Sequence, residues 1–180
     1  MSARYSTVAI VLHWLIALLA FAQIGLIMVA DGLEGPERGL YIMLHKSGGM
    51  TILLLTLVRI GWRLGHRPPP LPESTPRWQK ISARTVQTMF YVVLLALPLS
   101  GWIAASAADR PTIWYSLFTI PNLPAPQSMD LARQMIGIHS LWAKVFYVLV
   151  ALHLAGALKH HFLNRDGVLA RMLPLVGPGR

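Results

Sequence analysis

The chain has 180 residues, of which 54% are hydrophobic and only 13% are charged. Soluble domains carry about 25% charged residues, so this composition argues against both a disordered chain and an ordinary soluble enzyme. The formal net charge of +9 does not indicate nucleic-acid binding, because a basic chain this apolar is typical of a membrane protein whose cations lie at its helix ends. Cysteine is absent, which excludes disulfides, cysteine-bound zinc, iron–sulfur clusters and covalently attached c-type haem.

Four apolar stretches are long enough to cross a hydrocarbon core of about 30 Å as helices. They cover approximately residues 8–30, 44–64, 86–108 and 135–158. They predict an all-α fold, an integral membrane four-helix bundle formed as one domain over residues 1–180, with a short tail at residues 159–180. The third stretch contains Pro98, where a kink is expected. The aromatic segment around Trp114, before the fourth stretch, is expected to lie at the membrane interface.

The positively charged residues are divided unevenly between the two sides of this bundle. With both termini on one side, that side has 11 Lys and Arg residues, and the other side has 5. The positive-inside rule therefore places both termini in the cytoplasm.

Four histidines lie within or at the edge of the predicted spans, where ionisable residues are rare and are functional candidates. His13 and His153 lie near the cytoplasmic ends of their spans, whereas His45 and His139 lie near the opposite ends. His139 and His153 are 14 residues apart, which is about 21 Å along a helix and within about 40° of one face. The pattern indicates two cofactor sites at two depths, and haem held between facing helices is the favoured cofactor.

Other interpretations of these side chains stay open. A histidine inside a membrane often only hydrogen-bonds a neighbouring helix, and a zinc or copper site would gather three or four ligands at one depth. Arg59 lies 14 residues after His45, at the cytoplasmic level, and is expected to bind a haem propionate unless it only anchors the helix end. Gly48 and Gly49 could leave room for a flat macrocycle, and His160 is expected to be solvated at the interface.

Several short motifs resemble those of the bacterial cytochrome b561 family, and the resemblance runs from Tyr5 to Pro174. The motifs are His13-Trp14-Leu15, His45 with Gly49, Val58-Arg59 with Arg63, Ala96-Leu97-Pro98 with Gly101, His139, Leu152-His153, Ala157-Leu158-Lys159-His160-His161 and Arg171-Met172-Leu173-Pro174. The resemblance implies a multi-pass protein of the bacterial inner membrane with two non-covalent haem b groups. It also implies that His13 and His153 are the axial ligands of the cytoplasmic-side haem, and His45 and His139 those of the periplasmic-side haem.

Two histidines on each iron would leave no open position, which suits electron transfer better than oxygen or substrate binding. The favoured function is that of a haem-dependent oxidoreductase that moves single electrons from a periplasmic donor to ubiquinone in the membrane. The resemblance implies superoxide as a candidate donor, because some members of that family oxidise it. The alternative is a haem-carrying membrane anchor that relays electrons for a partner dehydrogenase or hydrogenase. The expected partners are thus membrane lipid, a quinone and a small anionic donor.

Two lysines lie close in sequence to the periplasmic-side histidines. Lys46 is adjacent to His45, and Lys144 follows His139 by five residues. We expect both lysines to attract a small anion such as superoxide towards the outer haem, although their alternative role is to extend to the lipid headgroups.

Overall fold

The computed structural model describes residues 4–173, and four long helices make up most of its length. They are α1 (Thr7–Asp31), α2 (Gly35–Gly65), α3 (Arg77–Ala107) and α4 (Met129–Leu158). Each is long and apolar enough to cross a membrane, which confirms the four predicted spans. Each helix packs against the next one along the chain, as in an up-and-down bundle.

Three of the helices begin well before the apolar stretches that predicted them. Helices α2, α3 and α4 begin at residues 35, 77 and 129, whereas the apolar stretches begin at about 44, 86 and 135. The difference arises because hydropathy detects only the part of a helix that is apolar all round. Local signals set the true starts: Pro36 occupies the first turn of α2, and the Ser128 side chain accepts a hydrogen bond from the N–H of Leu131. The α3 helix continues through Pro98, which is buried.

The first and last residues that the structure describes meet at one end of the bundle, which we call the terminal end. Helix α4 continues into a π-helical turn (Lys159–Asn164), and a 3₁₀ turn (Leu169–Met172) follows it. The Trp14 indole N–H of α1 donates a hydrogen bond to the Met172 carbonyl at 2.8 Å. The tail therefore packs against the start of the chain.

A small β-hairpin lies at the opposite end, which we call the hairpin end, and it is the one departure from an all-helical fold in residues 4–173. Strand β1 (Thr112–Trp114) pairs antiparallel with β2 (Phe118–Ile120). Two of the three turn residues, Tyr115 and Ser116, have φ angles of 45° and 61°. This left-handed conformation is unfavourable for non-glycine residues, so contacts with the bundle must hold the hairpin in place.

The buried core lies between the two levels that carry the paired histidines. Its central members come from all four helices and include Ile16, Ile52, Val93 and Phe146. Many large apolar side chains point outward instead, such as Leu18, which is 65% exposed. An apolar exterior of this kind suits a hydrocarbon environment, where lipid covers the outer faces of the helices.

Candidate functional site

The first histidine pair lies near the terminal end. His13 of α1 faces His153 of α4, and the two ring centres are 6.0 Å apart with an angle of 63° between the ring planes. The Phe90 ring of α3 packs edge-on against His153, with a centre-to-centre distance of 5.4 Å. His13 lies near the start of α1 and His153 near the end of α4, so the pair forms because these two helices are antiparallel. We call it the inner pair.

The second pair lies closer to the hairpin end, and we call it the outer pair. His45 of α2 faces His139 of α4, with ring centres again 6.0 Å apart and an interplanar angle of 73°. The two histidines lie at the same number of residues from the starts of their helices, which are parallel in this bundle. The structure thus places each of the four predicted histidines opposite a partner, in the two pairs predicted from their depths.

The spacing of each pair fits two ligands on one metal ion. Imidazole nitrogens bind metals at about 2 Å, so two rings on opposite sides of one ion have centres about 6 Å apart. Among residues 4–173 no three metal-ligating side chains gather at one point, so the described part of the chain lacks the ligand set of a mononuclear zinc site. Two separate pairs match the ligands that two six-coordinate haems require.

The ring of His139 is held in the orientation that a ligand needs. Its Nδ1 lies 2.9 Å from the backbone carbonyl oxygen of Leu97. A carbonyl oxygen only accepts, so Nδ1 must carry the proton, and Nε2 is left as the free ligand atom. The Ser100 hydroxyl donates to the same carbonyl at 2.9 Å and lies 3.3 Å from Nδ1. Helix α3 packs directly against this ring, because a Cβ added at Gly101 would lie 3.4 Å from Nδ1, at ordinary contact distance.

The ring of His45 is different, because the protein alone does not satisfy it. Its Nδ1 is buried and makes no hydrogen bond, although the Gln23 backbone lies nearby. The side-chain oxygen of Gln23 is also buried without a partner. Each unsatisfied buried polar atom costs about 1–3 kcal/mol. The Gln23 backbone faces the His45 ring as the Leu97 carbonyl faces that of His139, so Nε2 is the nitrogen left for a bound metal and the residues of the outer pair fit a haem.

The glycines beside His45 differ in their surroundings. A Cβ at Gly48 would collide with the side chain of Gln23, so this glycine permits the close approach of α1 and α2. A Cβ at Gly49 would meet nothing within 4 Å. Only Gly49 therefore has the open space that the sequence suggested for both.

Arg59 lies at the level of the inner pair, as its spacing from His45 predicts. One guanidinium nitrogen donates a hydrogen bond to the Ala9 carbonyl of α1 at 2.9 Å. Its positive charge is within electrostatic range of both His13 and His153. The side chain is thus held beside the inner pair by a neutral partner, which leaves its charge available to an anionic group.

The two predicted lysines have different surroundings. The Lys46 ammonium group donates to the carbonyl oxygens of Arg110 and Pro111, both at 2.9 Å, and so ties the segment before β1 to α2 beside His45. Lys144 is exposed and has no hydrogen bond or ion pair with any described residue. Five helical steps turn Lys144 about 140° away from the face that carries His139.

Ser47 is a site residue that sequence reasoning missed. It is fully buried, and its hydroxyl accepts a hydrogen bond from the Tyr115 N–H at 2.9 Å and donates towards the Ile113 carbonyl at 3.0 Å. The Trp114 indole N–H donates to the Thr51 hydroxyl one turn further along α2. These bonds dock the hairpin on α2 next to the outer pair. The only available signal was a polar residue inside an apolar span, directly after His45 and Lys46.

The terminal end contains a further polar pair that departs from expectation. His160 is not solvated, because its side chain is only 12% exposed and its Nδ1 lies 2.6 Å from the Asp166 carboxylate. Partial burial acts to raise the pKa of Asp166, but hydrogen bonds from His160, the Val168 N–H and Asn164 together hold that pKa below its usual value. The pair fixes the turn that follows α4.

Comparison with known proteins gives matches along nearly the whole chain. A family profile described as "Prokaryotic cytochrome b561" matches residues 4–175. The chain is 32% identical to cytochrome b561 homolog 2 of Escherichia coli, over 94% of this chain and 91% of that protein. It is 30% identical to cytochrome b561 homolog 1 of the same organism, over 95% and 97% of the two chains. It is also 30% identical to a Yersinia pestis protein named "Probable superoxide oxidase CybB", over 97% and 98%.

Proposed function

Because the chain belongs to the prokaryotic cytochrome b561 family of multi-pass, haem-containing electron-transfer proteins, we propose that it holds two haem b groups and transfers single electrons across the membrane. The observation that carries the proposal is the pair of 6.0 Å ring separations, one near each end of the bundle. When bound, haem b supplies reversible one-electron chemistry.

In this proposal two histidines would hold each haem. His13 and His153 hold the inner haem, and His45 and His139 hold the outer haem. The Nδ1–H bond from His139 to Leu97 keeps that ring oriented and makes its Nε2 a better ligand. Because two histidines would hold each haem, neither site would leave a position on the iron for direct binding of a substrate.

Other residues balance the charge of the proposed cofactors and keep water away from the two sites. Arg59 balances a propionate of the inner haem with its guanidinium, in the way that Arg–carboxylate pairs do elsewhere. The core side chains Ile52, Val93 and Phe146 fill the space between the pairs and exclude water from it. The hairpin, fastened by Ser47, shields the outer pair on the side of α2.

We further propose a periplasmic donor and a quinone acceptor. The excess of Lys and Arg at the terminal end supports placing that end in the cytoplasm and the hairpin end in the periplasm of a bacterial inner membrane. The name of the Yersinia pestis relative supports superoxide as a donor, and Lys46 supplies a positive charge near the outer pair. The acceptor in the membrane is ubiquinone in this proposal.

The ligand assignment is tested with single substitutions and the absorption spectrum of the purified protein. The unmodified chain should show b-type bands with about two haems per chain. His45→Ala and His139→Ala should remove the same haem, and His13→Ala and His153→Ala should remove the other, because each deletion leaves a buried iron with one ligand. Losses that do not follow these two pairs would contradict the assignment.

A second measurement separates the proposed activity from the alternative of a relay subunit. The purified haem-loaded chain, without any partner protein, is mixed with superoxide and a soluble ubiquinone analogue. Quinone reduction at a rate set by the chain supports an independent oxidoreductase. If the haems are reduced chemically but superoxide and quinone exchange no electrons through the chain, the relay function is correct and the proposed activity is wrong.

A further inference from the structure

A cavity of about 390 Å³ lies at the terminal end, below the inner pair. Four arginines line it, and its other walls include two tyrosines; these residues are Arg4, Arg59, Arg63, Arg67, Tyr5 and Tyr91. We call it the arginine cavity. None of the residues that line it is an aspartate or a glutamate. Such a concentration of positive charge favours the binding of an anion.

Arg59 and Arg63 of the cavity are held by neutral groups. Arg63 lies over the Tyr91 ring at 5.7 Å, and Arg59 donates to a backbone carbonyl. The three residues Arg59, Arg63 and Arg67 form no ion pair with an acidic residue of the described chain. Neutral partners fix the side chains but leave their charges uncompensated, which is how a protein prepares a site for an anionic ligand.

The surroundings of Tyr5 also reflect this concentration of positive charge. Burial raises the pKa of the Tyr5 phenol, and the nearby charges of Arg63, Arg59 and Arg171 act in the opposite direction. Three guanidinium groups therefore converge on one partly buried side chain. Such a field favours any anion that enters the cavity.

We propose that the arginine cavity binds the phosphate group of an anionic phospholipid. Arg59 is already assigned to the inner haem, so Arg63 and Arg67 are the groups that would contact a second anion. Their positions at the end of α2, beside the start of α1, are those of the membrane surface, where clustered cations between helices bind acidic headgroups. Apolar side chains are exposed on the same helix ends, including Val8 (40% exposed) and Leu64 (83%), and they would contact the acyl chains.

The experiment uses the haem-loaded chain purified in a neutral detergent. Phosphatidylglycerol, phosphatidylcholine with the same acyl chains, or inorganic phosphate is added, and the midpoint of thermal unfolding and the lipid retained in native mass spectrometry are measured. Phosphatidylglycerol should raise the midpoint and remain bound, because a ligand that binds only the folded state stabilises it. Phosphatidylcholine should have a smaller effect, since its headgroup has no net charge.

Substitutions identify the site. Arg67→Gln removes an exposed guanidinium at the rim and should weaken phosphatidylglycerol binding about fivefold, whereas Arg67→Lys should restore part of it. Arg84→Gln is the matched control, because Arg84 is an exposed cation of α3 that does not line the cavity. Haem content, read from the absorption spectrum, should be unchanged in all three variants, which separates this test from that of the electron-transfer function.

Several results would overturn the proposal. Equal stabilisation by the two lipids, which requires no substitution to observe, would exclude a site for acidic headgroups. An equal loss in Arg67→Gln and Arg84→Gln would mean that general surface charge is responsible. Full stabilisation by inorganic phosphate alone would identify a site for a free anion, and displacement of the lipid by ubiquinone would identify a quinone site.

Discussion

Gly101 offers a test of the outer pair that leaves all four histidines in place. In Gly101→Val, the new Cβ would lie 3.4 Å from Nδ1 and 3.5 Å from Cε1 of His139, and two further carbons would extend from it. Valine in a helix has one strongly preferred rotamer, so it cannot turn away freely. The His139 ring must move, and its hydrogen bond to Leu97 is lost. Overpacking of this kind costs about 1–3 kcal/mol, which is equivalent to a loss of outer-haem affinity of about five- to 150-fold.

The assay is the haem-to-protein ratio of the purified variant, combined with a redox titration that separates the two haems. Gly101→Val should fall from about two haems per chain towards about one, whereas Gly101→Ala should retain both, because 3.4 Å is a normal contact. The control is Gly137→Val, since a Cβ at Gly137 on α4 would meet nothing within 4 Å. Equal haem content in the two valine variants, or equal loss of both haems, would refute the proposed role of His139 as an outer-haem ligand.

Two other predictions concern the two faces of the membrane. Lys46→Gln should slow haem reduction by superoxide by up to about tenfold at low salt and weaken the salt dependence of the rate. Lys144→Gln, on the outer face of α4, is the comparison variant. An unchanged rate in both variants, with both haems bound, would exclude steering by these lysines. The chain has no cysteine, so a single introduced cysteine can be labelled without background. The thiol of Glu34→Cys should react with a membrane-impermeant reagent in intact cells, and that of Glu73→Cys should not. The opposite labelling would reverse the proposed orientation.

The pairing of the histidines could be predicted because it depends only on helix geometry. His139 and His153 share a face of one helix, and the alternating direction of successive spans brings His13 and His45 to their respective levels. Arg59 follows the same rule, since its distance from His45 equals the distance between the two histidines of α4. The depth of a side chain in a membrane bundle can thus be read from its position in an uninterrupted helix.

The contacts that orient the ligands could not be predicted in this way. The bond from His139 to Leu97 joins two helices, and it depends on their rotation and separation rather than on the sequence near either residue. The docking of the hairpin on Ser47 depends on a segment that carries two left-handed residues and looks like an interfacial loop in sequence. Lys46 is adjacent to His45 in the sequence, but its bonds to two backbone carbonyls appear only in the folded chain, where the segment before the hairpin lies beside α2.

The positive charge at the terminal end has two separate physical roles. Membrane insertion requires only that cations be more numerous on one side, and any exposed position in the loops satisfies that requirement. Arg59 and Arg63 are instead partly buried beside the inner pair and the arginine cavity, where desolvation makes an uncompensated charge costly. The need to orient the protein in the membrane does not explain why this cost is accepted, because an exposed arginine such as Arg84 provides the same positive charge without it. The proposed binding of anionic groups does account for it, through a haem propionate at Arg59 and a lipid phosphate at Arg63.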